Sequence, residues 1–217
     1  MIQLHYFPSN ASMIPHILLE EIGVPYERVL VDRANAAQKQ PAYLKLNPNG
    51  LIPVFTEGEL VLYETAAIAL HLCDTHPNSD LAPALGTPAR AHFYKWLMWL
   101  TNTLQSALIV YFYPERWVDA GNAAGATEVK KHAEERIGGL LDQLEDELER
   151  HGGQWLLGER YSALDAYVFT LCRWTRGFAL TPPARERRRL GALLQRMLAR
   201  PAVQRMLHNE GLSAPFF

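Results

Sequence analysis

Apolar and polar positions follow two regimes along the chain. Up to about residue 76, short apolar runs of strand length interleave with stretches of helical spacing, and beyond residue 88 only helical spacing remains. "IQLHYF" (2–7) reads as a strand, and "ASMIPHILLEEIG" (11–23) sets Ile14, Ile17, Leu18 and Ile22 on one helical face, closed by Gly23 and Pro25. "YERVLVD" (26–32) is the next strand. A strand, helix, strand unit of this length predicts a right-handed crossover and a parallel pair. The polar region 33–46 predicts an irregular helix; "IPVF" and "ELVLY" around "TEG" predict a hairpin; and "ETAAIALHLCDTH" (64–76) predicts a helix with an acidic residue at its head. The expected order is β-α-β-α-β-β-α.

"PNSDLAPALGTP" (77–88) concentrates proline, glycine and small polar residues and reads as a linker, dividing the chain into domains 1–77 and 88–217. The second domain is expected to be all α. In "EVKKHAEERIGGLLDQLEDELER", Val129, Ala133, Ile137, Leu140, Leu141, Leu144 and Leu148 share one face that must pack on other helices. In "YSALDAYVF" (161–169), Ser162 precedes Asp165 by three positions, a close variant of the capping box that fixes a helix start.

Composition narrows the function classes. With 217 residues, 48% hydrophobic, 21 basic against 23 acidic side chains and a net charge of −2, nothing favours nucleic acid or a membrane surface as partner. The basic run "ARERRRLGALLQRMLAR" (184–200) carries Leu190, Leu193, Leu194 and Leu198 at helical spacing, so it reads as the solvated face of a packed helix. Cys73 and Cys172 stand far apart in apolar helical patterns without metal-ligand spacing and read as reduced core residues; no metal site is expected. The first residues lack a basic, then apolar leader, and no apolar run reaches membrane-span length, so a cytoplasmic protein is expected.

The stretch "NPNGLIPVF" (47–55) places a second proline, Pro53, where strand pairing should begin. Proline has no N–H for the ladder and is confined to edges or to a strand's first residue. An ordinary Pro-Gly turn before an edge strand would account for it. Nine residues on, however, comes "ETAAI", with Glu64 and Thr65 at the head of a helix whose free N–H groups suit a carboxylate.

These two motifs together look like the glutathione-site signature of the cytosolic glutathione transferases, and "LLGERYSALDAYVF" (156–169) resembles that family's capping-box helix. "YFPSNASMIPHI" is similar to the bacterial beta class. The resemblance implies a thioredoxin-like α/β domain followed by an all-α domain, glutathione as co-substrate, a small hydrophobic electrophile as second substrate, and a homodimer. It implies that the peptide before Pro53 is cis and that Ile52 offers its N–H and C=O to the cysteinyl backbone of glutathione as an added strand. Glu64 would take the glutamyl ammonium and Thr65 the glutamyl carboxylate, while a cation, Lys39 before Arg33 or Lys45, would hold the glycyl carboxylate.

A thiol near its ordinary pKa must be ionised to attack, so a hydrogen-bond donor at a helix N-terminus is expected beside the sulfur. By alignment with the family, Ser12 is the first candidate, Tyr6 the second and Asn10 the third. The ordinary readings are an N-cap for Ser12 and an inward strand residue for Tyr6. Ala11 stands where beta-class enzymes carry a cysteine, which disfavours disulfide exchange, and Gln105 stands where that class has a histidine. Gln105, Tyr111 and Tyr113 are the expected contacts of the electrophile, although aromatics in "LIVYFYPERW" are individually ordinary interhelical core. The competing readings are a non-catalytic binding or regulatory member of the fold, and a glutathione-dependent isomerase, peroxidase or etherase.

Overall fold

A computed structural model describes residues 1–217, which group by contacts into two compact units: Met1–Ala82 with Leu198–Phe216, and Pro83–Met197 with Phe217. The first break falls inside the linker segment, but the last helix groups with the first unit although its sequence pattern is that of the helical part.

In the first unit β1 (Ile2–Tyr6), α1 (Met13–Ile22), β2 (Tyr26–Leu30), a 3-10 turn (Ala37–Lys39), the single-turn α2 (Pro41–Leu44), β3 (Val54–Glu57), β4 (Leu60–Tyr63) and α3 (Thr65–Thr75) follow the order expected from the sequence. The sheet runs β2-β1-β3-β4, with β1 parallel to β2 and β3 antiparallel to both neighbours, the thioredoxin-like arrangement. β3 is therefore central, and Pro53 stands at its entrance. Leu4, Ile14, Ile17, Leu18, Val54, Phe55, Ile68 and Leu72 are fully buried and form the core around which the helices lie.

Helix α9 (Pro201–Asn209) is tied to this unit by long-range polar contacts. Arg200 pairs with Glu21 at 2.5 Å, Arg205 with Glu20 at 2.5 Å, and Arg28 donates to the Asn209 carbonyl. The buried carboxylate of Glu210 meets His16 Nδ1 at 2.8 Å and accepts from the Ser9 N–H at 3.0 Å. These partners lie some 180 to 200 positions apart in the chain, which is why local periodicity could not assign α9.

The second unit contains α4 (Pro88–Trp99), α5 (Ser106–Phe112), α6 (Ala123–His151), α7 (Ala163–Arg173) and α8 (Arg188–Leu198). A π-helical stretch, Leu100–Gln105, joins α4 to α5 without a break. Asp165 makes the expected capping box with Ser162 and also accepts from the Leu156 N–H at 2.9 Å. No helix is long and apolar enough to cross a membrane.

Candidate functional site

Strand register gathers the first unit's candidate residues at one end of the sheet. β1 ends at Tyr6, with His5 opposite Val54, and β4 ends at Tyr63, also opposite Val54. Continuing both ladders by one residue brings Tyr6 and Glu64 alongside Pro53. Residues separated by tens of positions thus converge because three strands stop at the same level.

The Ile52–Pro53 peptide is cis. Ladder pairing of β3 begins only at Val54, and neither the N–H nor the C=O of Ile52 has a protein partner. Such groups are normally paired when they lie next to a core, so an open pair at the mouth of a central strand is a place for an incoming extended chain. Glu64, exposed, sits at the head of α3 with φ 70 and ψ 112, a region that non-glycine residues rarely occupy. Thr65 is buried beside it as the first residue of the helix. Lys39 extends over the 47–51 turn: its Nζ donates to the Asn49 carbonyl at 3.2 Å, and a Cβ on Gly50 would come within 2.9 Å of that nitrogen. Arg33 instead stacks over the Phe7 ring at 5.1 Å.

The stretch from the end of β1 to the head of α1 holds the three candidate thiol activators, and they differ in what their donors do. Ser12 is 0% exposed; its hydroxyl donates to the Phe7 carbonyl at 3.0 Å and accepts from the Phe7 N–H at 3.2 Å. Both functions of that hydroxyl close the loop. Tyr6 is half-buried, with the Arg28 guanidinium 5.6 Å over its ring and the His16 ring at 6.1 Å. Asn10 accepts from the Ala11 N–H through Oδ1 at 2.6 Å, while its side-chain NH₂ has no protein partner. The loop is held from behind, because Ser9, at φ 63, is anchored by Glu210.

In the helical unit Gln105 closes the π stretch and Tyr113 follows α5, half-buried, with the Arg116 guanidinium 4.0 Å over its ring. Tyr111 is only 7% exposed and packs against Phe178 at 4.7 Å, and burial raises its phenol pKa. Its place is interior packing, whereas Phe112 and Trp117 of the same cluster are exposed.

Neither Tyr43 nor Asn47 is among the site residues expected from the sequence, yet both reach the Leu51 carbonyl, one residue before the open Ile52 pair, each at 2.9 Å. The signal was present: an asparagine ahead of a Pro-Asn-Gly turn has a side chain that satisfies backbone groups two to four positions on.

A helical-plus-thioredoxin-like architecture with an open peptide before a cis proline defines the class. The glutathione S-transferase N-terminal domain model matches residues 1–74 and the C-terminal domain model residues 100–201. Glutathione S-transferase GstA of Escherichia coli O157:H7 is 29% identical over 212 residues, 97% of this chain and 99% of that one. A glutathione transferase homologue from Sulfitobacter with bound glutathione superposes with TM-score 0.86 at 27% identity, covering 98% and 99% of the two chains. The bacterial beta class enzyme of Sphingomonas chungbukensis superposes at 0.81 with 28% identity, over 97% and 100%. The chain belongs to the glutathione S-transferase family, on its bacterial side.

Proposed function

We propose that this protein conjugates glutathione to a small hydrophobic electrophile. The observation that carries the reading is the unpaired N–H and C=O of Ile52 at the mouth of β3, within one residue of ladder level from Tyr6 and Glu64. The cysteinyl backbone of glutathione adds to Ile52 as a short antiparallel strand. Its glutamyl end meets Glu64 and the α3 N-terminus at Thr65, where a carboxylate gains from free N–H groups and the dipole. Lys39 supplies the cation for the glycyl carboxylate.

The sulfur then lies by the head of α1. Of the three candidates there, Asn10 offers a donor with no other partner, so it takes first place; Ser12 shapes the loop, and Tyr6 stays second. A donor aimed at the sulfur favours the thiolate and lowers the pKa of the bound thiol. The thiolate lone pair forms the S–C bond, the leaving group departs with the bonding pair, and the thiol proton has already passed to solvent. Gln105 and Tyr113, with the exposed rings Phe112 and Trp117, receive the electrophile, while Tyr111 supports them by packing. We place the enzyme in the cytoplasm as a homodimer, on the family resemblance.

The competing reading is glutathione binding without catalysis, which the curated glutathione S-transferases among the relatives do not favour. Conjugation of glutathione with 1-chloro-2,4-dinitrobenzene by variants tests both. Asn10→Ala is expected to lower kcat/KM about 10- to 100-fold, the worth of one hydrogen bond to a charged group. Ser12→Ala is expected to lower stability and leave the bound thiol's pKa in place. Wild-type protein that takes up glutathione but forms no conjugate with any of several electrophiles supports the second reading.

A further inference from the structure

The open Ile52 N–H belongs to the same planar peptide as the Leu51 carbonyl, and whatever fixes that oxygen fixes the direction of that N–H. The Leu51 side chain cannot do this, being 56% exposed. The oxygen accepts instead from the Tyr43 hydroxyl at 2.9 Å and from Asn47 Nδ2 at 2.9 Å. Both donors are themselves immobilised. Asn47 is 2% exposed, and its Oδ1 accepts from the Asn49 N–H at 3.0 Å, so its amide plane is set from both ends. The Tyr43 ring is in the small core of Val31 and Val54, against which Ile52, Leu46 and Tyr63 pack, and it meets the His5 ring edge-on at 6.1 Å.

One donor would satisfy a loop carbonyl at the surface, where water could also serve. Two donors from separate elements, each drawn from a buried side chain, restrict the oxygen in two directions. Desolvating a phenol and a carboxamide at this spot costs stability that a single turn does not require. The peptide they restrict is the one whose N–H is left open.

We propose that Tyr43 and Asn47 are positioning residues that hold the Leu51–Ile52 peptide plane, and with it the Ile52 N–H, in the orientation that receives the cysteinyl carbonyl of glutathione. This rests on the glutathione reading above. It makes the affinity for the tripeptide depend on two side chains that never touch it. A recognition peptide already ordered before the ligand arrives loses less freedom on binding.

The test uses Tyr43→Phe, which keeps the ring in its core, and Tyr43→Phe combined with Asn47→Ser. Two readouts keep the clamp and the glutathione reading separate. Without ligand, the amide order parameter of Ile52 is expected near about 0.85 in the wild type and to fall toward about 0.6 in the double variant. With ligand, the glutathione KM is expected to rise about 3- to 10-fold for Tyr43→Phe and further in the double variant, the size of one lost neutral hydrogen bond at a time. The kcat at saturating glutathione and the KM for 1-chloro-2,4-dinitrobenzene are expected to stay within about twofold, a split that general loosening of the fold would not produce. An unchanged Ile52 order parameter in the double variant overturns the clamp. A lowered order parameter with an unchanged glutathione KM overturns its role in recognition, and a wild type that does not take up glutathione overturns the reading on which that role rests.

Discussion

The turns of the helical unit and the peptide before Pro53 treat their backbone polar groups in opposite ways. In the helical unit, buried or half-buried carboxylates close the turns: Glu134 accepts from the N–H groups of Ala179, Leu180 and Thr181, Asp165 from those of Leu156 and Ser162, and Glu145 from those of Arg189 and Leu190. In the first unit the peptide before Pro53 is held in place on its carbonyl side and left open at Ile52. Where a turn serves only the fold, a side chain reaches in and satisfies it. Before Pro53, side chains reach the Leu51 carbonyl and leave the Ile52 pair open.

The largest effect that would break this contrast is in the helical unit. Asp165→Ala leaves two N–H groups without their acceptor and removes the α7 capping box, and should lower unfolding free energy by about 3 kcal/mol in urea titrations. Glutathione affinity of the folded fraction should not change. A loss under about 1 kcal/mol would mean that this carboxylate is not the closure described.

At the sheet end the effects should have opposite signs. Glu64 holds a left-handed backbone that suits glycine, so Glu64→Gly should stabilise the protein by up to about 1 kcal/mol through relief at φ 70. The same change should weaken glutathione binding about tenfold by removing a charged partner. A variant that gains stability and keeps its affinity would leave Glu64 as a helix-head residue only.

How much could be read beforehand follows the same division. The β-α-β-α-β-β-α order and the Ser162–Asp165 capping box are legible because each depends on residues within a few positions of one another, whereas the cis peptide before Pro53 follows only from the family resemblance. Ser12 shows why the rest was not. A serine at a helix head reads alike whether its hydroxyl faces a ligand or folds back on Phe7, and only the loop's path decides. Tyr111 is a related case: an aromatic cluster at helical spacing does not say which ring turns toward α6, where the Lys130 ammonium lies 4.9 Å over this one. The grouping of α9 with the first unit depends on Glu210 meeting His16 across 194 positions, beyond any local pattern. Asn47, finally, lies inside "NPNGLIPVF", where an asparagine reads as an ordinary turn residue, and only the path of the chain brings its amide to the Leu51 carbonyl.

A transferase must ionise the thiol it binds, and a mere binding protein need not. The direct measurement is the ultraviolet difference spectrum of the protein saturated with glutathione, followed through the thiolate band as pH is raised. The midpoint is expected at least about one unit below the free thiol's roughly 8.5, moving back toward that value in Asn10→Ala. Saturated binding with the midpoint unshifted would contradict the conjugation reading, and would leave a protein that receives glutathione at Ile52 without activating it.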